Sequence, residues 1–129
     1  MEECNLEYSY SFILESYKIS DTELNVKVES FNTDDGTAYK NIFFINDKKI
    51  GSACVCSYKH KNDFLFNVEV KKDLRGKGYG TKIVKYMIDN YKVRHLIVGK
   101  DNIIAQNLYK KFNFKITDEV DSKFIRMER

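Results

Sequence analysis

Leu74-Arg75-Gly76-Lys77-Gly78-Tyr79-Gly80-Thr81 is the stretch that decides how this chain reads. The sequence has 129 residues with six glycines and no proline. Three of those glycines, Gly76, Gly78 and Gly80, stand here on alternate positions beside Arg75 and Lys77. Before the stretch, apolar residues recur with a period of two. After it, Ile83, Val84, Met87, Ile88 and Tyr91 fall on one helical stripe. The glycines therefore join a strand to a helix. At such a junction the first helical N–H groups have no internal partner and carry the positive end of the helix dipole. That end favours an anion, phosphate above all. Glycine leaves the backbone bare enough for close approach, and Arg75, Lys77 and Lys82 add charge. Two familiar phosphate motifs do not fit. No Gly-Lys-Ser/Thr occurs, and the third glycine of the dinucleotide fingerprint comes one residue early, with Thr81 in its place. A tight glycine turn without a ligand is the plainer alternative.

Outward from the loop, the first half reads as strands. Tyr8 to Ile19 is rich in Tyr, Phe, Ile and Ser. Glu23 to Phe31 alternates, with Leu24, Val26 and Val28 on one face. Asn32 to Gly36 is a turn. Tyr39 to Ile45 and Ile50 to Tyr58 form a hairpin across Asn46 to Lys49, and Phe64 to Val70 is a further strand. The helix covers Gly80 to Tyr91. Val93 to Val98 is a strand. Asp101 or Asn102 caps a second helix whose apolar face is Ile104, Ala105, Leu108 and Phe112. Phe114 to Val120 and Lys123 to Met127 close the chain as strands. This order predicts an α+β domain over residues 1–129. Its sheet is mixed and mostly antiparallel, with two main helices after the central strands.

Composition narrows the function. Hydrophobic residues make up 43%, including nine Tyr and nine Phe, which is enough for one core. The net charge of +3 comes with acidic residues scattered through the same strands. That pattern speaks against a nucleic-acid partner. No apolar run approaches the roughly 20 residues of a membrane span. The acidic start, Met1-Glu2-Glu3-Cys4, lacks a secretory signal. Three cysteines without framework spacing suggest reduced thiols and a cytoplasmic location. Cys54 and Cys56 lie on one strand face and read as core thiols. As a metal half-motif they have no second half, so no metal is expected. Richness in Lys, Asn, Ile, Tyr and Phe points to an AT-rich bacterial or phage genome.

Arg75-Gly76-Lys77-Gly78-Tyr79-Gly80 resembles the Arg/Gln-x-x-Gly-x-Gly/Ala loop of the GNAT acetyltransferase superfamily. A second block, Asn102-Ile103-Ile104-Ala105-Gln106-Asn107-Leu108-Tyr109 followed by Phe112-Asn113-Phe114, resembles that family's Asn-x-x-Ala-x-x-Leu-Tyr-x-x-x-Gly-Phe. The close match covers Phe64 to Phe114. It implies acetyl-CoA as co-substrate, lying in a splay between the strands Phe64–Val70 and Val93–Val98. The pyrophosphate would meet the amides of Arg75, Gly76, Lys77, Gly78, Tyr79, Gly80 and Thr81. The pantetheine arm would pair with the main chain of Val68 to Val70, and Asn102 would contact it. The Val70 N–H would polarise the thioester carbonyl. Tyr109 would protonate the departing thiolate as general acid; its plain alternative is packing.

The sequence departs from the family pattern in three ways. Asn113 replaces the glycine before the final Phe, and Asn is the best substitute in a left-handed helix C-cap. Phe64 and Phe66 occupy positions where members often carry the general base, and neither can take a proton. Glu69 is the nearest carboxylate, but it is out of phase with them unless the strand is bulged. A water chain or an amine that arrives neutral would serve instead. His60 and His95 take no role. Finally, the two helices that usually separate the first strands find no counterpart in Tyr8 to Tyr58. The implied activity is acetyl transfer to a primary amine, on a protein or peptide because an open site suits a macromolecule. A homodimer in which a second copy supplies the wall is the alternative. A CoA-binding regulatory module with weak or no turnover is the runner-up.

Overall fold

The computed structural model describes the backbone of residues 7–19, 22–34, 36–58 and 61–129, and the side chains of 24–34, 36–57 and 63–129. Five strands come first: β1 (Glu7–Ile19), β2 (Thr22–Thr33), β3 (Gly36–Ile45), β4 (Lys48–Tyr58) and β5 (Lys61–Val70). Then follow helix α1 (Tyr79–Tyr91), β6 (His95–Gly99), helix α2 (Ile103–Lys110), β7 (Lys115–Glu119) and β8 (Phe124–Glu128). Among the described residues they build one sheet in the order β1-β2-β3-β4-β5-β6-β8-β7. Every pairing is antiparallel except β5 with β6. The mixed, mostly antiparallel sheet with two helices is therefore as expected. No helix interrupts the described part of β1 to β5. The β3–β4 turn narrows to Asn46 and Asp47, both with positive φ (51° and 62°), the conformation of a tight hairpin turn that suits Asn and Asp.

The core sits on one sheet face under the helices. Alternation places Leu24, Val26 and Val28 of β2 there, with Phe43, Ala53, Val55, Leu65 and Leu96 beside them. Helix α1 lays Ile83, Val84, Tyr86 and Met87 onto this face. Each such side chain contributes about 1.5–3 kcal/mol by leaving water. Tyr86 meets Phe43 edge-on at 5.3 Å. Tyr91 closes the end of the stripe, its hydroxyl donating to Asn41 Oδ1 at 3.1 Å.

Gly51 lets α1 come this close. A Cβ there would collide with the Glu69 carbonyl oxygen and sit 2.9 Å from Ile83 Cδ1. Gly51→Ala is expected to lower stability by about 1–3 kcal/mol through overpacking. Urea unfolding reads this, and an unchanged midpoint would refute the packing argument.

Two expectations need correction. Ile104 does not join the apolar face of α2. It is 87% exposed, and the buried residues of α2 are Gln106 and Tyr109. Gln106 earns burial by donating to the carbonyls of Gly99 and Lys100, both at 2.9 Å. Reduced thiols hold for Cys54, a buried free thiol that burial pushes up to about 11. They fail for Cys56, which is disulfide-bonded.

Candidate active site

The site begins where the sheet comes apart. β5 and β6 pair only at Phe64↔His95 and Leu65↔Leu96. Beyond these rungs the strands diverge, from Phe66 to Val70 on one side and from Ile97 to Gly99 on the other. β5 also bulges. Cys54 pairs with Phe66 while Ser52 pairs with Glu69, so β5 carries one residue more than β4 between these rungs. Asn67 takes up the extra residue with φ 49°, a conformation Asn tolerates better than most. A bulge bends the strand and shifts its phase. Leu65, Val68 and Val70 consequently all face the core, and Glu69 comes onto the face of Phe64 and Phe66. The strand is bulged as the reading of Glu69 required. Glu69 itself is exposed.

At the end of β5 the backbone turns its polar groups into the opening. Lys71 N–H donates to Ile50 O at 2.9 Å, toward β4. Val70 O accepts from Arg75 Nε at 3.0 Å and so points the other way. The N–H and C=O of one strand residue share a side, so the Val70 N–H also faces the opening. The same bond ties Arg75, and with it the glycine loop, to the strand end.

The glycines divide their work. Gly76 and Gly78 lie at φ 79° and 85°, where other residues are strained, and a Cβ at either would meet nothing within 4 Å. Gly78 is the N-cap of α1. Helical bonding starts with Lys82 N–H donating to Gly78 O at 3.3 Å, which leaves the amides of Tyr79, Gly80 and Thr81 as the open first turn. Gly80 serves packing instead. A Cβ there would lie 3.3 Å from Leu108 Cδ2 and 3.7 Å from Val70 Cγ2, so α1, α2 and β5 meet at this point.

Opposite stands α2. Asn102 caps it, its Oδ1 accepting from Ala105 N–H at 3.1 Å. The left-handed cap expected of Asn113 is present, with φ 70°. Phe114 N–H reaches back to Tyr109 O at 3.2 Å, which closes the helix in the Schellman manner. This closure holds Tyr109, whose ring meets Phe114 edge-on at 5.9 Å. Tyr109 is 7% exposed, and burial pushes its phenol up to about 12.

Together these elements enclose a cleft of about 470 Å³. Val68, Glu69 and Val70 line it from β5, Arg75 and Gly76 from the loop, Tyr79 and Gly80 from α1, and Asn102 and Tyr109 from α2. Lys77, Gly78 and Thr81 stand in the same loop and first turn but do not line the cleft. Leu74, Ile104, Ala105 and Leu108 do line it and were not among the expected site residues. The signal for Ala105 and Leu108 lay in the Asn102–Tyr109 block, where they read only as helix packing. Among the described residues, no group of three or more His, Cys, Asp or Glu side chains could hold a metal, and no helix is long and apolar enough to cross a membrane.

The acetyltransferase (GNAT) family model matches residues 6–114. The chain belongs to the acetyltransferase (GNAT) family. Among solved structures it is similar to an acetyltransferase from Thermus thermophilus (18% identity, TM-score 0.62, covering 71% of this chain and 63% of that one). It is similar to the N-acetyltransferase PseH of Campylobacter jejuni in complex with acetyl coenzyme A (28% identity, TM-score 0.55, 70% of this chain and 65% of that one). It also shares its fold with the ribosomal-protein-S18-alanine N-acetyltransferase of Escherichia coli (21% identity, TM-score 0.55, 68% of this chain and 64% of that one). The chain spans less than two thirds of the length of each of these structures. A comparison with curated proteins found no match.

Proposed function

We propose that residues 1–129 act as one domain that transfers an acetyl group from acetyl-CoA to a primary amine. The observation that carries this reading is the cleft itself. Open helix-end amides and two left-handed glycines stand at one end, the outward Val70 N–H lies in the middle, and a buried tyrosine lies across from it. The loop residues Arg75 to Thr81 fit a pyrophosphate, because no side chain fills the space beside Gly76 and Gly78. Lys77 adds charge from outside the cleft. Val68 and Val70 offer main-chain partners to a pantetheine arm, and Asn102 contacts that arm from the opposite wall.

In the transfer step the amine nitrogen attacks the thioester carbonyl carbon, and the Val70 N–H stabilises the charge that gathers on its oxygen. The carbon–sulfur bond breaks, and Tyr109 gives its proton to the leaving thiolate. The proton lost by the amine goes to Glu69, which the bulge at Asn67 has brought into phase. Because Glu69 is exposed, water can relay part of that transfer.

The acceptor is a lysine or N-terminal amine carried by a protein or peptide. β1 to β5 run from strand to strand without a helix among the described residues, so one side of the acceptor site is open. A small amine finds little surface to bury there, whereas a peptide brings its own and can lie along a strand edge. Alternatively a second copy of the chain supplies the wall. One thiol-release assay tests the proposal. Peptides are expected to support turnover and polyamines to fail at matched concentrations. Glu69→Gln should lower the rate about tenfold, below the usual range for losing a general base, because water substitutes. A polyamine saturating the monomer while peptides stay inert would sink the acceptor class. An unchanged rate for Glu69→Gln would remove it as base.

A further inference from the structure

A second hollow of about 390 Å³ lies at the other end of α1, lined by Ile88, Lys92, Val93, Arg94 and Arg129. The thirteen residues of α1, at about 1.5 Å of rise each, put it roughly 20 Å from the glycine loop. Three of its five lining residues are cations, drawn from the cap of α1, the link to β6 and the residue after β8. Their backbones are fixed. Lys92 N–H donates to Ile88 O at 3.3 Å, Arg94 N–H to Asp63 O at 2.9 Å, and Arg129 N–H to Arg94 O at 3.0 Å. The Arg129 guanidinium is also held over the Phe114 ring at 5.9 Å.

No carboxylate among the described residues pairs with these cations. The acids nearest in sequence are committed elsewhere. Asp89 pairs with Lys85 at 2.8 Å. Glu128 and Asp63 both face His95, at 3.2 and 3.6 Å. The negative end of the α1 dipole offsets part of the Lys92 charge. An excess of positive charge still converges on a floor of Ile88 and Val93. Like charges gathered this way repel, and a ligand of opposite charge relieves them. Two guanidinium forks match the paired oxygens of an oxyanion better than a point charge would.

We propose that this hollow binds a small oxyanion of the phosphate type, at a site distinct from the glycine loop. The inference does not rest on the transfer reaction. The probe is inorganic phosphate, titrated calorimetrically into the full chain at constant ionic strength, with and without saturating CoA. Saturable binding is expected in both conditions, with CoA not competing. The double variant Arg94→Gln/Arg129→Gln should bind phosphate about tenfold more weakly or worse, since it removes two charge-assisted bonds. Lys92→Asn, which retains a residue suited to the left-handed cap, should weaken it in the same direction. Gly76→Glu, which alters the other cleft, should leave it unchanged. All four changes lie on exposed side chains or the open loop, and a thermal melt checks that each variant is folded. Equal affinity in the double variant overturns the proposal. So does competition by CoA, loss of binding in Gly76→Glu, or the absence of saturable binding. Binding of an acidic peptide with phosphate inert also overturns it, in favour of a protein partner.

Discussion

Tyr109→Phe is expected to lower kcat by about 10²–10⁴-fold, the usual loss on removing a general acid, with acetyl-CoA affinity essentially unchanged. The change deletes one oxygen and retains the ring, so the edge-on contact with Phe114 at 5.9 Å survives. In the proposed transfer step the hydroxyl holds a proton until the thiolate leaves. Burial pushes the phenol up to about 12 from its ordinary 10.0. The proton therefore stays on throughout the neutral and mildly alkaline range, and kcat of the parent should show no alkaline fall from this group below about pH 10. Stability follows the same sign. The folded value is raised, so the neutral phenol's contribution is complete below about 10 and is lost as pH rises through about 12. Calorimetric CoA binding beside single-turnover rates separates acid from packing. If the variant turns over like the parent while chemistry limits the rate, Tyr109 is a packing residue.

Gly76→Glu is expected to weaken CoA binding at least about a hundredfold, because a like charge set against a bound anion costs several kcal/mol. Gly76 lines the cleft at φ 79°, and an added Cβ meets no protein atom within 4 Å. The new carboxylate therefore enters the space the pyrophosphate is proposed to use. Backbone strain is the confounding effect, of roughly 1–2 kcal/mol in the left-handed region. Gly76→Asn controls for it, since Asn visits that region more readily and adds no charge. The asparagine variant should retain most of the affinity that the glutamate variant loses. Equal affinity for the parent and a folded Gly76→Glu protein would remove the glycine loop from the binding site.

Much of this was legible in the residues. The glycine loop announced itself because glycine is scarce elsewhere in the chain, and the change of period from two to 3.6 located it between strand and helix. The block from Asn102 to Phe114 located the second helix, its cap and Tyr109. The β5 bulge was not legible. Phe64 to Val70 is apolar at both parities, with Leu65, Val68 and Val70 on one face and Phe64 and Phe66 on the other, so alternation could not reveal a slipped residue. The one local hint was Asn67, a residue that accepts positive φ in the middle of a strand. Ile104 misled for the complementary reason. Its spacing matches the stripe of α2, whose Ala105, Leu108 and Phe112 do pack against the core, but Ile104 falls in the first turn beside the open cleft. The cationic hollow was invisible because Lys92, Arg94 and Arg129 are brought together only by the parallel return of β6 and the closing β8.

The two rungs between β5 and β6 have a mechanical meaning. Elsewhere neighbouring strands are laced along most of their length, but among the described residues the seam here is the two rungs Phe64↔His95 and Leu65↔Leu96 with the Arg94 N–H to Asp63 O bond beside them. The sheet is in effect two panels on a short hinge, with β1 to β5 as one leaf and β6, β8 and β7 as the other. Opening that hinge would break little ladder, so its cost falls on the core the two leaves share, where Leu65 and Leu96 are both buried. A long ligand laid between the leaves would act as a strut and bond along the diverging strand edges. Tightness of binding and stiffness of the fold would then be one quantity, rising together as RT ln(1 + [L]/Kd). Amide hydrogen exchange in β6, slowed by the ligand far more than exchange in β2 or β3, would show the strut in place.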